Sequence, residues 1–208
     1  MRKTYLLPLF FAFCAAAFAG PFTVTVSVNT SSLSGTTGSV DWQLNPGAGS
    51  TQTANVTISN INGATWVAGG PGTAFDLGNV TGSHIAGPLT ISTAGGAATN
   101  DDFENITFSN NLSFLLNFNG PAVVSPNGTA TSPITYYFSL FTDTNGINPA
   151  FSSDGLIASI NINPDGSAVK SVFSTAATVT FTPEPATMGM VGTALGLLGL
   201  AGWRRRKA

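Results

Sequence analysis

Short runs of alternating apolar and polar residues dominate the chain from Gly20 to Thr182. Valine takes every second position of segment 24–28, and leucine and phenylalanine do so in segment 112–118. Similar alternation occurs in residues 136–140, 156–162 and 179–181. A period of two in β-branched and aromatic residues is typical of strands that bury one face.

Turn residues separate these runs. Proline, asparagine and glycine cluster in segments 45–47, 126–128 and 163–166, and such clusters favour tight turns. Segment 92–101 is rich in small residues and is predicted to be a loop. No helical periodicity interrupts the pattern. We therefore predict that residues 20–182, called the passenger below, are all-β and form an antiparallel, jelly-roll-like β-sandwich of about eight to eleven strands.

The first 19 residues have a different pattern. Arg2 and Lys3 precede an apolar run, and the small residues Ala17 and Ala19 stand just before Gly20. This order is typical of a secretory signal peptide, which signal peptidase would remove. We predict that residues 1–19 are a signal helix. Its removal would take away Cys14, the single cysteine of the sequence, so the passenger can have neither disulfide nor thiol chemistry.

The last 26 residues, 183–208, differ again. They begin with Pro183-Glu184-Pro185, continue with the uncharged segment 186–203 and end in a basic cluster made of Arg204, Arg205, Arg206 and Lys207. A helix over segment 186–203 would be about 27 Å long, close to the thickness of the hydrocarbon core. The basic cluster favours a cytoplasmic end. We predict a single transmembrane helix over about residues 186–203, with the passenger on the outer side.

These three features in this order resemble the PEP-CTERM sorting tail of exported proteins of Gram-negative bacteria that make exopolysaccharide. A tail of this kind is also labelled an ice-binding protein C-terminal domain. The resemblance implies that an exosortase, a membrane protease, removes the tail. It implies a precursor anchored in the inner membrane, and then a passenger at the cell surface or in the extracellular matrix. It assigns sorting, and no activity of the passenger.

The charge of the passenger excludes some partners. Lys170 is its single basic residue against eight acidic ones, which gives a formal charge of −7. A basic surface for nucleic acid is therefore absent from this segment. Threonine, serine and asparagine make up 61 of its 163 residues. Such a surface suits a hydrated matrix and hydrogen bonding to sugars, although it is also common in secreted β-proteins.

Three acidic residues lie close together in the sequence. Asp101, Asp102 and Glu104 are weak candidates for a calcium site, because carboxylate oxygens are the ligands that Ca²⁺ prefers. A complete site needs about six or more oxygens. The favoured interpretation is therefore a solvated turn ahead of a strand at 106–108, with no metal and no cofactor.

Catalytic groups are scarce. His84 is the single histidine, and it lies in a predicted turn with no identifiable partner. No spacing of the acidic residues favours the facing pair that a glycosidase needs. The predicted function is therefore a non-catalytic surface or matrix protein, not an enzyme.

Three alternatives remain open. One is a carbohydrate-binding module, with Trp42, Trp66 or Tyr137 as stacking platforms, although packing in the core is the favoured role for these side chains. Another is a secreted hydrolase. The last is an ice-binding protein, suggested by Thr-x-Thr patterns at 23–25 and 178–180, but with no long regular array of threonines in the sequence.

Overall fold

The computed structural model describes residues 20–67, 75–82 and 87–182. The predicted signal peptide, the predicted tail from Pro183 onward and His84 lie outside these residues. Within the described ranges no helix is long and apolar enough to cross a membrane.

The described residues form strands and two very short helices. The strands are β1 (Phe22–Asn29), β2 (Thr37–Asn45), β3 (Asn55–Trp66), β4 (Phe75–Leu77), β5 (Asn79–Gly82), β6 (Leu89–Ser92), β7 (Asp101–Asn119), β8 (Ile134–Phe141), β9 (Leu156–Ile162), β10 (Ala168–Val172) and β11 (Ala177–Thr182). A 3₁₀ turn at Ser31–Leu33 and the helix α1 at Pro121–Val124 complete the fold. Every strand pairing is antiparallel. The prediction of an antiparallel all-β fold is therefore confirmed.

The strands belong to one hydrogen-bonded sheet. Its main order is β10-β9-β8-β2-β7-β3-β6-β5, with β1 between β11 and β7 and with β4 on β7. Strand β7 is 19 residues long. Its first half pairs with β2 and β4, its second half pairs with β1, and β3 pairs with it over residues 106–108 and 113–119. A long strand that changes neighbours in this way carries the sheet from one layer to the other.

Strand β3 also changes direction along its length. Its pairing with β7 shifts register between Ser59 and Asn62 and again between Asn62 and Ala64. Asn60 and Gly63 have positive φ values of 52° and 84°. Extra residues in one strand bend it and increase its twist, so the sheet folds over at this point.

One aromatic core joins the two layers. The Phe114 ring lies 4.9 Å from that of Phe138 and 5.8 Å from that of Trp42, centroid to centroid. The rings of Phe118 and Tyr136 are 5.7 Å apart. These contacts connect the second half of β7 to β2 and β8. Strand β2 pairs with the first half of β7, and β8 pairs with β2. The two ends of the sheet therefore pack face to face.

The alternating pattern places this core as predicted. Among the fully buried apolar residues are Val24, Val26, Val28, Leu112, Phe114, Leu116, Phe118, Tyr136, Phe138 and Leu140. They alternate with residues on the outer faces of the two layers, and Leu115 is an apolar residue on the outer side of β7. The layer built from β1, β3, β5, β6, β11 and the second half of β7 is called the neutral layer below. The layer built from β2, β4, β8, β9, β10 and the first half of β7 is called the acidic layer.

Candidate functional site

The three acidic candidates lie inside a strand. The loop before them ends at Asn100, and β7 begins at Asp101. Asp101 is 6% exposed and Asp102 is 1% exposed. The prediction of a solvated turn at these residues is therefore wrong. The sequence did not indicate this strand because Asp101 and Asp102 are both polar, and an alternating pattern indicates a strand only when one set of positions is apolar.

Asn100 explains why the strand begins early. Its backbone oxygen accepts a hydrogen bond from the Leu44 amide at 2.9 Å, and its side-chain Nδ2 donates to the Leu44 carbonyl oxygen at 3.0 Å. Its side-chain oxygen accepts from the Asn79 amide at 2.9 Å. Asn100 is fully buried. It therefore joins the start of β7 to both β2 and β5, a role that sequence reasoning missed because nothing distinguishes this asparagine from the 16 others of the passenger.

Strand geometry separates the three acidic side chains. Successive side chains of a strand point to opposite faces of the sheet. Asp101 therefore shares the outer face with Asp41 of β2, whereas Asp102 and Glu104 share the inner face with Asp76 of β4. Asp101, Asp102 and Glu104 thus do not form one set of ligands. In residues 20–67, 75–82 and 87–182 no three histidine, cysteine or acidic side chains are grouped so as to hold a metal ion.

The outer pair is Asp41 and Asp101. Burial raises the pKa of Asp101 to about 8, helped by its hydrogen bond to Asp41 and by the charges of Asp41 and Asp76. Burial also raises the pKa of Asp41, whose Oδ2 accepts a hydrogen bond from Gln43 Nε2 at 3.0 Å. Neither Asp41 Oδ1 nor Asp101 Oδ1 has an N–H or hydroxyl partner. A proton on Asp101 supplies the missing donor between these two oxygens, because a neutral carboxyl can donate to a neighbouring carboxylate.

The inner group is Asp76, Asp102 and Glu104. Asp76 and Asp102 are directly opposite each other on β4 and β7. Burial, a hydrogen bond to Asp76 and the charges of Glu104, Asp76 and Asp101 raise the pKa of Asp102 to about 9. Burial and the charge of Asp76 raise the pKa of Glu104 to about 7. Asp102 is therefore neutral at pH 7 and donates its proton toward Asp76.

Among the described residues, no lysine or arginine contributes to the pKa values of Asp41, Asp101 and Asp102. The single lysine of the passenger, Lys170, lies on β10 and donates a hydrogen bond to the carbonyl oxygen of Val179. Buried carboxylates without a cation keep their protons, because removing an unpaired charge from water is costly. Protonation of Asp101 and Asp102 therefore allows each to donate a hydrogen bond to its neighbouring aspartate, Asp41 or Asp76.

The aromatic candidates for sugar stacking differ in their placement. Trp42 is 0% exposed and packs in the core, 6.2 Å from the partly buried Trp66. Trp42 is therefore excluded as a platform. Tyr137 lies half-buried on the outer face of the acidic layer, opposite Gln43. The exclusion applies to Trp42 alone, since Trp66 and Tyr137 are each partly exposed.

The sequence analysis did not identify an aromatic pair in which one of the two rings is exposed. Phe75 of β4 is 46% exposed and stacks on Phe103 at 5.4 Å, with the rings 12° from parallel. Phe103 is only 7% exposed, and its ring also approaches Phe141 at 6.4 Å. The stack holds the three-residue strand β4 on the start of β7. It has a structural role beside Asp76 and Asp102.

Thr-x-Thr segments of different strands lie side by side. Thr23 and Thr25 of β1 pair with Thr182 and Thr180 of β11, and Ser27 pairs with Thr178. All six side chains are on the outer face of the neutral layer, and none is buried. The sequence showed the separate segments but not their alignment, because residues more than 150 positions apart pair only in the folded sheet.

Comparisons with known proteins bear on the tail. No curated protein and no solved structure matches the chain. Residues 181–207 match the model of the PEP-CTERM protein-sorting motif. The match contains Pro183, Glu184 and Pro185 together with the basic cluster, as the sequence predicted, and it begins at Phe181 inside β11. Residues 181–207 are therefore a PEP-CTERM protein-sorting motif, the mark of a protein exported in Gram-negative bacteria and processed through membrane-anchored sorting by an exosortase.

Proposed function

We propose that residues 20–182 are a non-catalytic, jelly-roll-like β-sandwich that the sorting motif delivers to the cell surface or to the exopolysaccharide matrix. One observation carries the proposal: the last strand of the fold runs directly into the motif. Strand β11 ends at Thr182, and the motif match starts at Phe181. The fold and the sorting signal are therefore adjacent, with no further folded segment between them.

Both processed segments leave the fold at the same place. Thr23, near the start of β1, pairs with Thr182 at the end of β11. Removal of residues 1–19 by signal peptidase and of the tail by the exosortase would each cut next to this pair. Neither cut removes a core residue, since Val24 and Val179 lie within the retained strands. The arrangement supports a passenger that keeps its fold after processing at both ends.

The placement of the acidic side chains supports a non-catalytic role. A glycosidase needs two carboxyl groups that face each other across an open cleft. Asp101 and Asp102 are buried and point to opposite faces of β7. Their shared protons stabilise strand contacts, and no substrate could reach Asp102, which is 1% exposed.

The test is the fate of the tail in two hosts, one with the sorting exosortase and one lacking it. The full gene is expressed in both, and intact mass and cell fractionation locate the C-terminus of the exported protein. We expect loss of the tail near Pro183–Pro185 only where the enzyme is present. A matched variant with alanine at Pro183, Glu184 and Pro185 should keep its tail in both hosts. Retention of Arg204–Lys207 in the wild-type protein in both hosts would overturn the proposal.

A further inference from the structure

The outer face of the neutral layer carries no charge. Its strands are β1, β3, β5, β6, β11 and the second half of β7, and none of these segments contains an acidic or basic residue. All eight acidic side chains and Lys170 of the passenger lie in the acidic layer or in the loops of that layer. The charge of −7 is therefore confined to one side of the fold.

Hydroxyl and amide side chains form rows across this face. The longest row crosses six neighbouring strands and consists of Thr182, Thr23, Asn117, Thr57, Thr90 and Thr81. A second row consists of Asn119, Asn55, Ser92 and Asn79. A third row consists of Thr178, Ser27, Ser113 and Asn62. A fourth row contains Thr180, Thr25 and Ser59, with the apolar Leu115 between Thr25 and Ser59. Together these side chains are called the hydroxyl face.

The long row is a continuous strip of hydrogen-bonding groups. With strands about 4.8 Å apart, six strands span about 24 Å. Thr57 and Thr90 hydroxyls are 3.1 Å apart, and Asn117 Nδ2 donates to Thr23 Oγ1 at 3.3 Å. These contacts hold the side chains in place. In the Thr57–Thr90 pair one hydroxyl donates to the other, which keeps its own O–H free to donate, and both retain acceptor lone pairs. None of the six residues of this row is buried.

The chemistry of the face selects a type of ligand. The absence of lysine and arginine from these strands excludes attraction of a polyanion. The rows contain no tryptophan, tyrosine or phenylalanine, so a ligand cannot bind here by stacking. What the rows offer is a repeated pattern of neutral donors and acceptors along one direction, which suits an extended chain that is itself covered with hydroxyl groups.

We propose that the hydroxyl face binds an uncharged polysaccharide laid across the strands, along the row from Thr182 to Thr81. Many weak hydrogen bonds act together along the chain, so affinity grows with the length bound. This inference deepens the proposed function, because it names what the delivered passenger would hold in a matrix. It can fail while sorting remains correct, since binding is measured on purified protein.

The test is affinity electrophoresis of the exported protein in gels that contain hydroxyethylcellulose or dextran as neutral probes. The variant Thr23→Val, Thr57→Val, Thr90→Val removes three hydroxyls of the long row and keeps β-branched side chains that suit strands. The matched control is Thr135→Val, on the outer face of the acidic layer. We expect the wild type and the control to be retarded by a neutral probe, and the triple variant to have an apparent Kd about tenfold higher or more.

Four results would overturn the proposal. One is unretarded wild-type protein in both neutral gels, and another is equal retardation of the wild type and the triple variant while both unfold at the same denaturant concentration. The third is wild-type protein that fails to bind sugar but slows the growth of ice crystals, an effect lost in the triple variant. That result would assign the same rows to an ice surface. Retardation in alginate, an anionic polysaccharide, but not in a neutral gel would also contradict it.

Discussion

The ammonium group of Lys170, on β10, donates a hydrogen bond to the backbone carbonyl oxygen of Val179, on β11. It also lies 5.9 Å from the centre of the Phe181 ring. Strands β10 and β11 are not paired with each other, and each lies at an edge of the sheet. The single basic side chain of the passenger therefore links the two edges of the folded sheet, and it does not neutralise the buried acids.

Replacement of Lys170 by methionine should weaken this link. Methionine keeps most of the apolar stem but loses the donor and the cation over Phe181, so we expect the free energy of unfolding to fall by about 1–2 kcal/mol. Urea denaturation measures the change, and hydrogen exchange should become faster in residues 177–182. Lys170→Arg, which retains a donor, is the control. Equal stability of the methionine variant and the wild type would show that the link contributes nothing.

Stability should decrease as the pH rises from 5 to 9. The pKa values of Asp101, Asp102 and Glu104 in the folded protein are about 8, 9 and 7, above the ordinary values of 3.8 for aspartate and 4.5 for glutamate. The unfolded chain therefore releases these protons near pH 4, whereas the folded chain holds them until pH 7 to 9. Unfolding releases protons between these limits, so the free energy of unfolding falls as the pH rises through this range.

Urea midpoints at pH 5 and pH 9 test this sign. Asp102→Asn keeps a side chain of the same shape that can donate to Asp76, so the fall should be smaller in this variant. Asp154→Asn, in an exposed turn of the acidic layer, should behave as the wild type. A midpoint that rises from pH 5 to pH 9 would show that these carboxyl groups are ionised in the folded protein.

Truncation of Phe114 should be far more damaging than truncation of Phe173. Phe114 is 1% exposed and its ring contacts those of Trp42 and Phe138 in the facing layer, whereas Phe173 is 51% exposed. We expect Phe114→Ala to cost about 3–5 kcal/mol through the cavity it leaves. Phe173→Ala should change stability by less than about 1 kcal/mol. Similar denaturation midpoints for the two variants would contradict the packing of the two layers.

Two glycines with positive φ should respond differently to alanine. Gly63 has a φ of 84°, and a Cβ atom there would be 1.7 Å from the Asn111 carbonyl oxygen. Gly96 has a φ of 76°, but a Cβ atom there would meet nothing within 4 Å. Gly96→Ala should therefore cost only the backbone strain of about 1 kcal/mol. Gly63→Ala adds a backbone clash at the bend of β3, so its thermal midpoint should be much lower, and equal midpoints would exclude the close approach.

The periodicity of the sequence was a reliable guide wherever one face of a strand is apolar. Segments 24–28, 112–118 and 136–140 have their apolar residues in the core because hydrophobic burial acts on every second residue of a strand. It failed at Asp101 and Asp102, where a strand carries carboxyl groups on both faces. Burial of these groups depends on proton sharing with Asp41 and Asp76, which are at least 25 positions away in the sequence.

The sequence by itself determined the all-β class and the sorting motif, because each follows from residues close together in the chain. The tertiary structure alone decided which distant residues meet. It aligned Thr23 and Thr25 with Thr182 and Thr180, set Asp76 opposite Asp102, and placed charge on one layer only. Strand pairing joins segments that are any distance apart in the sequence, so local patterns predict the strands but not which strands are neighbours. The composition of a surface that six strands form together depends on those neighbours.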